Sequence, residues 1–284
     1  TAKQLDPPGG FVTGFSDLPP LSARRVLKTG IREIDYRLAW ELGAMSVMTG
    51  IPGHGKSTLT TFIADRIANN EGVKVGFMSF ETHPHRTRDH LTRLATGKAY
   101  DDLTETQQAS TMAQLDRFFR VVHRTYEDGA HALPWLEEMI YTLAVRDQCK
   151  LIIVDPWNEI EHMPMPGESL TNYINFATQQ IRTWAEKLEV HICVVAHPKK
   201  MNMDFKPRAP MGYDVADSAA FYNKPSNGLT VFQSKSDDGL PLTELVSWKV
   251  RDTQLYGSTK GISQLHFDPD KMTYEPFEQL AEAT

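Results

Sequence analysis

The sequence predicts an α/β fold in which a mostly parallel central sheet is flanked by helices and carries antiparallel strands on its C-terminal side. Three observations carry that prediction. Segments 150–155 (KLIIVD) and 190–196 (VHICVVA) are near-continuous apolar runs rich in β-branched residues, as strands covered on both faces must be. Strand-like and helix-like patterns alternate between residues 44 and 196, the rhythm of a sheet with crossover helices. Beyond Gly228 the helical patterns stop and short strand-like segments follow one another.

Residues 1–27 contain Pro7, Pro8, Gly9, Gly10, Pro19 and Pro20 and read as a linker or subunit-docking segment. Proline removes the donors and fixes the angles that a helix or central strand needs. The main domain is expected over 28–278, with a tail at 279–284. A strand is expected at 44–49, then a helix at 56–70 with Leu59, Phe62, Ile63 and Ile67 on one face. Gly72 ends that helix, and 73–80 is the next strand. Helices follow at 84–96 and 105–118, a brief strand at 120–123 and a helix at 131–147. The strands 150–155 and 190–196 flank a helix at 170–188. Segments 229–233, 243–250, 264–267 and 272–274 are expected as antiparallel strands.

The chain has 284 residues, of which 40 % are hydrophobic and 23 % charged, which suits one large core and argues against wholesale disorder. A formal charge of −6 speaks against a protein that coats duplex DNA with a basic surface. It leaves open a small, locally basic channel for nucleic acid. The two cysteines, Cys149 and Cys193, sit far apart in apolar runs and are expected buried and reduced, as in an intracellular protein. No apolar run approaches the ~20 residues of a membrane span, and no signal peptide is visible.

Gly50-Ile-Pro-Gly-His-Gly-Lys-Ser57 satisfies G-x-x-x-x-G-K-[ST] between an expected strand and an expected helix. Glycines at 50, 53 and 55 permit close approach of the backbone to a ligand. Amides at the helix start then face phosphate, Lys56 reaches the β- and γ-phosphates, and Ser57 ligates magnesium. Asp155 closes the strand 150–155, where a carboxylate for the magnesium belongs in a phosphate-loop fold. Glu81, at the end of the strand 73–80, is placed to orient and deprotonate attacking water.

Six motifs occur in one order: TGIREID at 29–35, GIPGHGKST at 50–58, MSFE at 78–81, LIIVDPW at 151–157, VVAHPKK at 194–200 and WKVR at 248–251. On these residues the chain resembles the RecA-like motor domain of DnaB-type hexameric replicative helicases, most like phage primase-helicases and Twinkle, over about 29–276. The resemblance implies ATP, or another NTP or dNTP, with Mg2+, held by Gly50, Gly53, His54, Gly55, Lys56, Ser57, Thr58 and Asp155. It implies that His197 senses the γ-phosphate and that Lys249 and Arg251 reach into a neighbouring subunit's site. Phe267 would stack on the base, near Lys235. Single-stranded DNA would follow a basic loop at 199–213 through Lys199, Lys200, Lys206 and Arg208, with 161–169 as a second pore loop. The partners implied are identical subunits in a hexameric ring, and a primase or other replisome proteins. The setting implied is bacterial or phage-infected cytoplasm, or the mitochondrial matrix.

Two other readings share the phosphate loop. A RecA/Rad51-like or clock-type regulatory ATPase has the same core, but a single Glu81 followed by Thr82 and the K-x-R pair favour the helicase. A small-molecule kinase would need an arginine-rich lid. Arg86, Arg88 and Arg93 are the comparable cluster, and they fit a helix face equally well.

Overall fold

The apolar runs are interior strands, and the alternation of their side chains supplies two separate cores. The computed structural model describes residues 14–17, 25–123, 132–199, 208–215, 219–253 and 257–277. The strands are β1 (Val26–Leu27), β2 (Trp40–Glu41), β3 (Met45–Thr49), β4 (Lys74–Ser79), β5 (Phe119–Val121) and β6 (Cys149–Asp155). They continue with β7 (His191–Val195), β8 (Asn227–Lys235), β9 (Pro241–Val250), β10 (Gly261–Asp268) and β11 (Thr273–Pro276). Between them lie α1 (Arg32–Asp35), α2 (Lys56–Glu71), α3 (Pro84–Thr96), α4 (Glu105–Phe118), α5 (Leu133–Tyr141), α6 (Leu170–Leu188) and α7 (Ala220–Asn223).

Among the described residues the large sheet has nine strands in the order β11-β10-β9-β8-β3-β7-β6-β4-β5. From β8 to β5 every neighbouring pair is parallel, and from β8 to β11 every pair is antiparallel. The strand expected at 229–233 is therefore not simply antiparallel: β8 runs parallel to β3 and antiparallel to β9. A stretch whose two faces are covered, as Asn227–Val231 is, is mostly apolar whichever way its neighbours run, so its direction leaves no mark on its composition.

Along β6, Leu151 and Ile153 face a cluster that holds Leu59, Ile63 and Ile67 of α2. Ile152 and Val154 face the opposite cluster, with Ile174, Ile181 and Trp184 of α6. A side chain so buried contributes about 1.5–3 kcal/mol, and from Leu151 to Val154 two such faces leave no polar position. Cys149 and Cys193 are free and buried on opposite faces, and burial pushes both thiols up to about 12.

Several boundaries differ from expectation. The helix expected from 131 begins at Leu133, with proline in its first turn, and widens into a π turn at Thr142–Arg146. The brief strand expected at 120–123 is Phe119–Val121. Met272 belongs to a turn with φ 60°, so the last strand starts one residue later. The two-residue pair β1 and β2, joined as Val26↔Glu41 and Leu27↔Trp40, is too short to leave a periodic signal. It nevertheless brings Leu27, at the end of the expected linker stretch, into the core.

His191 joins this small sheet to the large one. Its ring contacts the Glu41 carbonyl oxygen at 2.8 Å and the Ser46 hydroxyl at 2.9 Å, with Trp40 edge-on at 5.3 Å. Complete burial holds the imidazole down at about 4, opposed by the bond to Glu41. Between the unfolded value of ~6.5 and 4 the unfolded chain thus binds more protons, so stability falls as pH falls through that window. Urea titrations across it should show a shallower fall for His191→Gln than for wild type, by up to about 1.4 kcal/mol per pH unit. Equal slopes would mean His191 carries no linkage.

Candidate active site

The phosphate loop lies at the C-terminal end of β3, where a parallel sheet offers its ligand edge. Gly50 passes so close to β8 that a Cβ there would fall 2.3 Å from the Val231 carbonyl oxygen, so no larger residue fits. α2 opens on Gly55 in the left-handed region, with no side-chain cap and no acid in its first turn. Its leading N–H groups and its dipole are left to attract an anion.

Lys56 is 6 % exposed, and its ammonium donates to the carbonyls of Gly50 at 3.0 Å and Ile51 at 3.2 Å. Burial lowers its affinity for the proton, opposed by the charges of Asp155 and Glu81. The loop's own oxygens thus hold a cation that a phosphate would hold better. His54 is pinned by β8: the Gln233 amide donates to its Nδ1 at 2.9 Å, and Phe232 packs on the ring at 5.3 Å. Burial, then Lys56, keep this imidazole below its ordinary value.

Asp155 ends β6, as expected, and is 8 % exposed. Burial raises its carboxyl, opposed by a hydrogen bond from Ser57 and by the charge of Lys56. Glu81 and His197 act on the same carboxyl, so the sheet brings Lys56, Ser57, Glu81, Asp155 and His197 within one electrostatic site. β4 closes at Ser79 rather than at residue 80, which leaves Glu81 two residues beyond the strand with its side chain 64 % exposed. Its carboxylate lies 3.4 Å from Nε2 of His197. The His197 backbone N–H donates to Asn158 at 2.8 Å, a tie from the turn after β6 that the motif reading missed.

Two cavities flank the loop. One of about 280 Å³ is lined by Ser57, Thr58, Thr82, Arg86 and Asp155. The other, of about 500 Å³, is lined by His54, Gln233, Lys235 and Phe267. Phe267 packs against Tyr274 with ring centroids 4.7 Å apart. Gly53 faces open space, where a Cβ would meet nothing within 4 Å.

The remaining expected site residues lie elsewhere. Lys200 and Lys206 fall outside the described residues. Lys199 is exposed, and its amide donates to the Asp214 carbonyl at 2.7 Å beside the bridge Pro198↔Val215. Arg208 is not a free cation. It forms two 2.8 Å bonds to Asp214, which raise its own proton affinity and hold the Asp214 carboxyl below the usual range. Asp214 lies one residue past the basic segment and closes the loop at its stem. Of the three arginines considered for a kinase lid, Arg88 lies 3.8 Å over the Tyr100 ring and Arg93 bonds Asp89 at 2.9 Å. Both are engaged in local packing.

Lys249 and Arg251 are at the far edge of the sheet. Val250 pairs with Asn227, and Asn227 with Ser46 near the start of β3. The phosphate loop touches β8 four to six residues further on, at Val231 and Gln233. That is roughly 13–20 Å of strand, so neither side chain reaches its own loop. Trp248 and Val250 point inward while Arg251 is exposed. Lys249 donates to the carbonyls of Tyr222 at 2.6 Å and Asn223 at 2.9 Å. Burial, then Arg251 and other cations, lower Lys249 to about 8.

Among the described residues no cluster of three or more His, Cys, Asp or Glu could hold a metal, and no helix is long and apolar enough to cross a membrane. The match to the AAA domain family spans residues 16–203. The chain is 26 % identical over 236 residues to the Twinkle homolog protein, chloroplastic/mitochondrial, of Arabidopsis thaliana, covering 79 % of this chain and 33 % of that protein. It therefore spans about a third of that relative's length. A solved ATPase domain superposes with a TM-score of 0.69 at 14 % identity, covering 88 % of this chain and 91 % of that one. A DnaB-like replicative helicase, solved for its interactions with primase, gives 0.68 at 14 % identity over 87 % and 61 % of the two chains. A KaiC-like protein of Pyrococcus horikoshii gives 0.62 at 13 % identity over 89 % and 100 %. The chain belongs to the AAA domain family, and its fold is the RecA-like ATPase core found in DnaB-type replicative helicases.

Proposed function

We propose that this chain is the ATP-driven motor of a replicative DNA helicase, which moves along single-stranded DNA and hydrolyses ATP at the interfaces of a homo-oligomeric ring. The observation that carries the reading is the position of Arg251, exposed at the sheet edge away from its own phosphate loop. A cation so placed serves a nucleotide only if that nucleotide belongs to a neighbour. A head-to-tail interface repeated around a ring supplies one such cation to every site.

In each site Lys56 and the first turn of α2 bind the β- and γ-phosphates, and Phe267 with the cavity beside His54 takes the base. The Ser57 hydroxyl and the Asp155 carboxylate are hard oxygen donors hydrogen-bonded to each other on two elements, a set that fits a magnesium ion. Magnesium bound there would neutralise charge on the phosphates. Glu81 orients the attacking water and takes its proton, and His197 shares the position of that carboxylate. His197 also begins the segment that leads into the basic loop, so phosphate loss and loop movement have a common element. Arg251 of the adjacent subunit stabilises the transferring phosphoryl, assisted by Lys249. A primase or another replisome protein is the partner class implied, in an intracellular setting.

The test is ATP hydrolysis with and without an unpaired oligonucleotide, together with separation of a forked duplex. Hydrolysis should rise on the oligonucleotide, and the fork should open with ATP but not with a nonhydrolysable analogue. Stimulation without opening would leave a translocase that is not a helicase. The likeness to a KaiC-like fold favours a second reading, a regulatory ATPase ring. That reading expects no response to the oligonucleotide.

A further inference from the structure

Three aromatic rings are stacked from Tyr213 inward to Trp248, on the strand that leads to Lys249 and Arg251. Tyr213 lies on Tyr222 with centroids 3.9 Å apart and 18° between the planes. Tyr222 lies on Trp248 at 5.4 Å and 18°. Trp248 is 2 % exposed and rests on Gly228, where a Cβ would fall 2.1 Å from the indole. Gly212 is pressed in as tightly, its missing Cβ 2.6 Å from the indole and 3.0 Å from Tyr222. The inner end of the stack is clamped by backbone that comes this close only because those two residues have no side chain.

The outer end is open. Tyr213 is 61 % exposed although one face is covered by Tyr222, so the other face meets solvent. The ring sits beside the stem of the basic loop, next to the Arg208–Asp214 pair and near the exposed Lys199. A flat, rigidly held aromatic face beside an exposed lysine is an arrangement that binds unpaired bases without regard to sequence, because every base has a π face.

We propose that Tyr213 accepts an unpaired nucleobase as the fourth ring of this stack, and that the stack passes the strand's presence to Lys249 and Arg251. The connection is direct. The Tyr222 and Asn223 carbonyls hold the Lys249 ammonium, which also lies 5.5 Å from the Tyr222 ring. Arg251 reaches the same Asn223 carbonyl at 3.5 Å. The ring that backs Tyr213 thus belongs to the residue whose carbonyl, with that of Asn223, holds these cations, so a base on Tyr213 is two residues removed from them. The inference depends on reading the chain as a single-strand motor, and its test separates the two.

An oligonucleotide carrying a fluorescent aminopurine, whose emission falls on stacking, is titrated into the full chain with a nonhydrolysable nucleotide. Wild type should quench it. Tyr213→Ala should lose the quench and bind the strand ~10-fold more weakly, while Tyr213→Phe keeps both. Wild-type affinity in the alanine variant overturns the proposal, as does a phenylalanine variant no better than alanine, since that would mean a hydroxyl contact. Photocrosslinking of wild type to an iodouracil oligonucleotide, with the adduct mapped by mass spectrometry, needs no variant. An adduct on Tyr213 supports the stack. An adduct elsewhere, with ring assembly lost in Tyr213→Ala, makes this face a subunit contact instead. If wild type binds no oligonucleotide, the motor reading itself fails; if it binds and Tyr213 is indifferent, only the stacking fails.

Discussion

Arg251→Ala lowers strand-stimulated hydrolysis by about 10³-fold or more and leaves nucleotide binding intact. Binding survives because the phosphate loop meets β8 at Val231 and Gln233, four to six strand positions from the end where Asn227 pairs with Val250. Hydrolysis collapses because charge that develops on the transferring phosphoryl loses its partner from the adjacent subunit. Arg251→Lys should rescue little, since an ammonium lacks the planar fork that meets two phosphate oxygens at once. Subunit mixing decides between a role in trans and one in cis. Lys56→Ala destroys its own site but keeps Arg251, whereas Arg251→Ala keeps its site and lacks the donor. Mixed in equal amounts, the two inactive proteins should regain activity, since about a quarter of head-to-tail interfaces then join an intact loop to an intact arginine. Mixtures no more active than their separate parts, at any ratio, would sink the assignment in trans.

What was legible beforehand divides along a physical line. The strand and helix types came through because burial on two faces forces an apolar run, as in β6 and β7, and burial on one forces a helical stripe, as in α2. The phosphate loop was legible because only glycine fits where Gly50 meets the Val231 carbonyl. Contacts between residues distant in sequence left no such trace. Nothing local ties His54 to the Gln233 amide, or the amide of His197 to Asn158. Arg208 illustrates the limit best. In a window that stops at Tyr213 it reads as a free cation, yet the acid that neutralises it is the next residue along. The direction of β8 was hidden because its inward side chains are apolar beside either neighbour.

The second large effect is expected at Glu81. Two carboxylates share the site, and their surroundings assign them different work. Asp155 is 8 % exposed, accepts from Ser57 and sits under the Lys56 charge, so its oxygens are committed. Glu81 stands two residues past β4 with its side chain 64 % exposed, steadied by His197 at 3.4 Å, and is free to receive a proton from water. Glu81→Gln keeps the shape and removes the base, so kcat should fall by about 10²–10⁴ while KM and nucleotide affinity hold. Asp155→Asn should instead weaken magnesium-dependent nucleotide binding, because it alters a group that meets the ground state as well as the transition state. The split is read from kcat and KM for each variant, with direct titration of a nonhydrolysable nucleotide. If Glu81→Gln loses affinity and Asp155→Asn loses only turnover, the roles are reversed. Either way the two must differ, because one carboxylate is buried and bonded to the Ser57 hydroxyl while the other stands exposed to water beside an imidazole.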